Sequence, residues 1–578
     1  MSLNLLGRIF ILLLSFIGYT VYLKKKFDLR VEFAPIVICS SIGIIMFLAG
    51  IFHIMPIATY AIIIIGLIQL RLIRKDSFNL EEILKLSIFT LIVLYFFNYL
   101  KDALFIHYDN FSHWALVVRE MLETNALPTS ASKLIEFNAY PTGTAGFIYF
   151  VSKIVGNTDG IKAFGQTLIL LSGIFSLTAF INKKNWYLSI VFAVFSVYFL
   201  VYNIFITDLL VDTILPILGV AIVAIIVYYR DRDLEKLLKF AMPLIAYLPI
   251  IKNSGIFFTI ISVVMIYLLV RGTNITKKKF IGYSIVPSLV LMVLWKVHVM
   301  ITFGKSGASK HSVSLRNYAK TILDKNMSDI SNITSSFIDK TLQINNLAAI
   351  LILAVIIVFM VVFIVSKCKH IDYDFKFEKS IILASLLIYV FYMLGLFSMY
   401  IFSMPTQEAL MLAEYDRYHK TIIMYLFAII TIMCFRYSVD WKGIDSIKTV
   451  LLSVVLVAFA FVSLKYNVDY SRIHSNKDYS STARYQINQL KEKYDIKDEK
   501  KYLIYTGSPV ESSGYIFYAS KYEFRSTDIS VYNSAEIQGQ NPNFNDYDYV
   551  ISLKEDENIL PILKNNGIDK YEPVIKLN

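Results

Sequence analysis

The chain has 578 residues, of which 56% are hydrophobic and only 17% charged, and its mean hydropathy is +0.58. A water-soluble protein of this length cannot hide so much apolar surface, so the composition predicts a polytopic membrane protein and excludes a soluble globular one. The net charge of +12 is the excess expected of cytoplasmic loops, and it does not call for a nucleic-acid partner.

A helix that crosses ~30 Å of hydrocarbon needs ~20 apolar residues. About fourteen runs approach that length, near 5–23, 32–52, 56–73, 83–105, 163–182, 187–206, 209–229, 238–252, 254–270, 281–303, 348–367, 380–403, 421–436 and 449–465. The first is followed by Lys24, Lys25 and Lys26 rather than a small-residue cleavage site, so it reads as a retained helix. Cys39, Cys368 and Cys434 are far apart in or beside apolar runs and suggest neither a disulfide framework nor a metal cluster.

Basic residues between the runs set an orientation. Lys24 to Lys26, Arg74 with Lys75, Lys183 with Lys184, Arg230 with Arg232, Lys277 to Lys279, Lys367 with Lys369, and Arg436 fall in alternate loops, which the positive-inside rule places in the cytoplasm. The other loops then face outward: 106–162, the turns near 203–208 and 252–254, 304–347, 404–420 and the tail from about 466. The expected organisation is N-terminal membrane helices over 1–82, a membrane domain over 83–465 and a small extracytoplasmic α/β domain over 466–578.

Within 106–162, Phe111, Ala115, Val118 and Leu122 recur at three- and four-residue steps and predict a helix from Asp109 to Leu122. Ala145 to Val155 is too short to span and reads as a helix lying in the membrane interface or dipping into it. The 304–347 loop is basic and polar, without a motif. In the tail, Ser480 to Tyr494 reads as an amphipathic helix, Tyr502 to Thr506 and Tyr547 to Ile551 as buried strands, and Tyr515 to Tyr522 as a helix between them. Neither a Gly-rich phosphate loop nor an internal repeat is present.

Four polar clusters fall on the predicted outer side. His107 to Trp114 holds an acid, two imidazoles and an indole in eight residues. Asp109 can act as the general base that takes an acceptor hydroxyl's proton, or it can cap a helix starting at Asn110. His113, four residues on, is a candidate contact for acceptor or phosphate or a structural imidazole, and Trp114 a sugar platform or an interface anchor. Glu414 to Lys420 precedes a span: Arg417 can grip a phosphate through two parallel hydrogen bonds, with His419 and Lys420 adding charge, or the stretch is a solvated helix end. Lys252 sits between two short apolar runs and needs a partner there, either a lipid phosphate or Asp208 or Asp212. Asp208 and Asp212, spaced i,i+4, can hold a divalent cation, position an acceptor, or pair with Lys252 and Arg417.

Together these stretches, with Asn138 to Gly143 and Asp416 to Tyr418, resemble the GT-C superfamily of membrane glycosyltransferases, most closely the bacterial branch that builds cell-envelope polysaccharides. The likeness is one of layout and short motifs over residues 83–465. It implies a bacterial cytoplasmic-membrane enzyme that takes a sugar from a polyprenyl-phosphate donor and passes it to a cell-envelope acceptor on the outer face, with inversion. By the same resemblance Asp109 is the base, Lys252 and Arg417 hold the donor phosphate, and Tyr140 and Tyr418 line the substrate site. Asn110 stands where many relatives carry a second acid, so the resemblance does not bring a metal with it. The alternatives are an O-antigen-type polymerase or ligase, in which the 304–347 loop carries more weight, and a lipid-linked oligosaccharide flippase, which would hold its charges near the midplane.

Overall fold

The computed structural model describes residues 3–75, 77–201, 206–304, 321–343, 346–439, 442–467, 479–508 and 511–577. Part of the expected outer turn at 203–208, and residues 305–320 and 344–345 of the 304–347 loop, lie outside the described residues. Each of the fourteen apolar runs coincides with a helix. Among the described residues, however, eleven helices are long and apolar enough to cross a membrane. The other three runs form Leu188–Val201, Leu234–Ile251 and Gly255–Val270. The first and last have 14 and 16 residues, short of a perpendicular crossing, and the second carries Glu235, Lys236 and Lys239 in its opening turns. Hydropathy finds each apolar run, and two of the fourteen are short of a full crossing by sequence alone. The bounds of the helices and the charges in their opening turns set the number long and apolar enough to span at eleven.

Burial sorts the helices into a centre and a periphery. Asp159–Phe180, Val211–Tyr229 and Tyr415–Val439 are 94%, 89% and 89% buried over their most apolar stretch, whereas Lys376–Phe402 is 11% and Leu80–Leu100 is 22% buried. The peripheral helices present Leu84, Leu91, Leu383 and Phe391 outward, which is the surface a hydrocarbon solvent requires. At one end of the bundle the basic loops meet: Lys24 pairs with Glu82, Lys236 with Asp28 and Lys279 with Glu235. The 106–162 segment lies at the other end.

That segment departs from a single regular helix. Asn110–Trp114 forms one π-helical turn and Ala115–Thr124 continues as α-helix, stopped by Asn125 in the left-handed region at φ 55°. The short helix is Gly143–Val155, and ten of its thirteen residues are buried within the bundle. Its start is pressed against the end of Leu234–Ile251: a Cβ on Gly143 would sit 2.6 Å from the Ile250 carbonyl oxygen, and the Tyr247 hydroxyl donates to the Gly143 carbonyl at 3.1 Å. Only glycine permits that approach, which brings the Tyr140 loop beside Lys252.

The tail folds as a small α/β unit. Its sheet has four strands, β1 (Tyr502–Tyr505), β2 (Ile529–Tyr532), β3 (Tyr549–Ser552) and β4 (Val574–Lys576), in the order β2-β1-β3-β4. β1 pairs parallel with β2 and β3, and β4 runs antiparallel to β3. The expected helices are Ala483–Tyr494, capped by Thr482, and Ser513–Phe524, capped by Ser512. β1 and β3 are buried throughout and stand out in the sequence, whereas β2 is half-buried and β4 has three residues, so neither has a strand-like apolar run.

Candidate functional site

The site begins with the Asn110–Trp114 turn. The Asn110 side chain is buried and joins two segments: its Nδ2 donates to Asp208 Oδ1 at 3.0 Å and its Oδ1 accepts from the Leu209 backbone N–H at 2.9 Å. This fixes the turn, and Asp109 immediately before it, against the chain leading into Val211–Tyr229. Asp109 has helical dihedrals and makes no capping hydrogen bond, so the N-cap role is overturned. Its Oδ2 instead accepts from Arg417 Nη1 at 2.6 Å.

Arg417 projects from the first turn of Tyr415–Val439 and is the hub of the cluster. Besides Asp109 it has Glu414 at 3.4 Å and Asp212 Oδ2 at 3.6 Å from Nε, and its Nη2 donates to the Tyr418 hydroxyl at 3.4 Å. Asp212 lies in the 3₁₀ turn Val211–Thr213 and accepts from Lys252 Nζ at 2.7 Å through its other oxygen. Lys252 Nζ stands 5.0 Å from the centre of the Tyr418 ring. Charges of opposite sign therefore alternate along Asp109, Arg417, Asp212 and Lys252, which come from four segments of the chain, each at a helix end. The pairing is incomplete: Asp212 Oδ2 and Arg417 Nε are both buried and neither makes a hydrogen bond.

The i,i+4 reading of Asp208 and Asp212 presumed one helix. A bend at Asp208 and the 3₁₀ turn at Asp212 send the two carboxylates to different partners, Asn110 and the cations. Both Asp212 oxygens face cations, a donor set that does not fit a metal, and among the described residues no group of three or more His, Cys, Asp or Glu side chains is placed to hold one.

His113, Trp114 and Tyr140 form an aromatic wall beside the charges. The His113 ring meets Trp114, Phe137 and Tyr140 edge-on at 4.7, 5.7 and 5.1 Å between centres. Burial pushes the imidazole down to about 3, against the pull of Asp109, so His113 is a neutral hydrogen-bonding group and not a cation. Burial also pushes the Tyr140 hydroxyl up to about 12, within reach of the fields of Lys252, Tyr418, Asp212 and Asp109. His419 belongs elsewhere: it shares a hydrogen bond with the Tyr389 hydroxyl at 3.1 Å and stacks on Tyr415, on the opposite side of its helix from Arg417. Two residues along a helix turn the side chain by about 200°, which a linear motif does not show.

The tail domain roofs the turn that carries Asp109. From Ser513–Phe524, the Tyr515 hydroxyl donates to the Ile106 carbonyl at 2.9 Å, Lys521 pairs with Glu136 at 2.6 Å, and the Tyr522 hydroxyl donates to Asp159 at 2.7 Å. Arg484 adds a 3.3 Å pair to Asp159. The Phe111 ring lies between Tyr515 and Tyr522, at 5.7 and 5.6 Å. Sequence reasoning missed Asn110, Phe137 and this contact surface. The spacing of Tyr515, Tyr518 and Tyr522 on one helical face was the available signal.

No protein-family model, curated protein or solved structure matches the chain.

Proposed function

We propose that the protein is a membrane glycosyltransferase of the GT-C type, moving a sugar from a polyprenyl-phosphate donor to a cell-envelope acceptor on the outer face of a bacterial cytoplasmic membrane. The observation that carries this reading is the meeting of Asp109, Arg417, Asp212 and Lys252 at one end of an apolar bundle. In the proposed step the acceptor oxygen attacks the sugar's anomeric carbon and its proton passes to Asp109. The bond from that carbon to the phosphate oxygen breaks, and the electron pair leaves with the lipid phosphate. Phosphate departs as an anion, so no general acid is needed. Lys252 and Arg417 offset its charge.

Both cations are held by carboxylates, Lys252 by Asp212 and Arg417 by Asp109. A donor phosphate competes for Arg417 and draws it from Asp109, which frees the base only when the donor is seated. The basic loops gathered at the opposite end support the positive-inside orientation, under which this site and the tail domain would face outward. A flippase would carry such charges near the middle of its helices, whereas here they lie at helix ends.

The test is mass spectrometry of cell-envelope glycans from cells lacking the gene and from cells whose only copy is Asp109→Asn. The amide keeps the shape but takes no proton, so one sugar decoration is expected to be absent from both. A glycan lost in the null and retained in Asp109→Asn rejects the base and moves the polymerase, ligase and flippase alternatives ahead.

A further inference from the structure

The flank of the bundle carries a groove of about 530 Å³ between Leu80–Leu100 and Leu188–Val201. One wall is a stripe of Ile88, Ile92 and Phe96, and the other a stripe of Phe192, Ser196 and Leu200, each at the three- and four-residue steps of a single helix face. Leu171, Ile174 and Phe175 of Asp159–Phe180 are buried and form the floor. The rims are open, with Ile88 48% and Val197 52% exposed. Midway along, Ser196 Oγ donates back to the Phe192 carbonyl at 2.7 Å, so the hydroxyl adds nothing polar to the groove. The opening is on the lipid-facing flank of a membrane protein, where hydrocarbon takes the place of water.

The length of the groove and its polar end select the occupant. From Lys85 to Phe96, and from Ser189 to Leu200, the walls run eleven residues, about 17 Å at the helical rise. That is about one leaflet of a ~30 Å hydrocarbon core, which suits an acyl chain, whereas a partner helix would follow the whole span. The far end, at Phe96 and Leu200, is apolar, and the polar end lies among the basic loops. Lys85 there is already committed, to Glu32 and Glu81 at 2.8 Å each and to the Thr178 and Ile181 carbonyls. The remaining charge lies in the turn after Ile181. Asn185 fixes this turn: its Oδ1 accepts from the Asn182 N–H at 2.7 Å and its Nδ2 donates to the Phe180 carbonyl at 2.9 Å. Lys183 and Lys184 are thereby presented at the surface, both exposed and, among the described residues, in no salt bridge. Trp186, 67% exposed, stands in the same turn. Two cations and an indole at the mouth of an apolar groove one leaflet deep match an anionic phospholipid. We infer that the groove holds an acyl chain of an anionic phospholipid from the leaflet at the basic end, with its phosphate at Lys183 and Lys184. The tail of a sugar donor does not meet this description, because its phosphate belongs at the opposite end of the bundle. The inference stands apart from the transferase reading.

Native mass spectrometry of the purified full-length protein tests this, with dioleoyl phosphatidylglycerol and dioleoyl phosphatidylcholine titrated in detergent. The parent is expected to retain one phosphatidylglycerol about tenfold more tightly than phosphatidylcholine. The double variant Lys183→Gln, Lys184→Gln should lose that preference. Lys277→Gln with Lys278→Gln, in another exposed basic turn, should keep it. Ala193→Phe fills the groove without touching the lysines and is expected to weaken phosphatidylglycerol about tenfold. Val197→Trp, at the open rim, should do the same and covers an Ala193→Phe protein that fails to fold. Equal retention of the two lipids by the parent overturns the site, and so does an unchanged preference in the Lys183, Lys184 variant. Undiminished phosphatidylglycerol in the groove-filling variants also overturns it. A dimer that Ala193→Phe converts to monomer would make a second copy the occupant. Displacement of phosphatidylglycerol by farnesyl phosphate would give the groove to a polyprenyl donor, and either result rejects the phospholipid.

Discussion

Among the clusters in which carboxylates meet cations, those around Glu32 and around Asp212 lie at opposite ends of the bundle. At the basic end Glu32 is fully buried, and both of its oxygens are used: Oε1 accepts from Arg30 at 2.6 Å and Lys85 at 2.8 Å, and Oε2 accepts from Arg30 Nε at 3.0 Å. Lys85 also donates to the Thr178 and Ile181 carbonyls at 3.0 and 2.8 Å. At the other end Asp212 Oδ2 and Arg417 Nε face each other at 3.6 Å without a hydrogen bond. A saturated cluster in a low-dielectric interior ties segments together and has nothing left to offer a ligand. An unsaturated one keeps binding capacity at the expense of stability. On the proposed transferase reading, this contrast assigns Glu32 a structural role and Asp212 with Arg417 a functional one.

Four experiments press on that contrast. The largest effect is expected at Asp109: Asp109→Asn should lower transfer by about 10³-fold, within the range of a general base, with little change in melting temperature. A comparable fall in both would make Asp109 a structural residue like Glu32. Next is Glu32→Ala, which leaves Arg30 without a carboxylate and Lys85 with only the more exposed Glu81 at 2.8 Å, and should cost about 3 kcal/mol of stability. The protein that still folds should transfer sugar at the parent rate, and a selective loss of activity would erase the distinction between the ends. Third, Arg417→Lys keeps the charge but loses the planar fork, so farnesyl phosphate should bind about tenfold more weakly by calorimetry. Unchanged affinity would take Arg417 out of phosphate binding.

The smallest effect is a pH dependence. His113 is held neutral, with its folded value near 3 against an ordinary 6.5. The unfolded chain therefore binds a proton that the folded chain refuses between those two values. Stability from this residue is complete above about 6.5 and falls as the pH drops toward 3. Thermal melts at pH 7.5 and 5 should differ less in His113→Phe than in the parent. An equal difference would mean that the imidazole titrates freely and that the aromatic box is open to water.

The sequence by itself determined the solvent and the elements of this protein. Runs of twenty apolar residues admit one environment, and hydropathy alone marks Asp159–Phe180 and Tyr415–Val439 as helices of a membrane protein. The buried strands β1 and β3 were legible for the same reason, since an apolar run between turns is a local pattern. Local patterns also flagged Asp109, Asp212, Lys252 and Arg417, because charges beside hydrocarbon are costly wherever they pair.

Only the tertiary structure decided the pairing. Asp109 and Arg417 are 308 positions apart, and nothing in the neighbourhood of either names the other. His419 shares a motif with Arg417 and points away from it, while Phe137 lies outside every polar motif and stacks on Tyr140. Side-chain direction depends on helix phase, on the π turn at Asn110 and on the Gly143 approach to Ile250, and these are settled when helices pack rather than when they form.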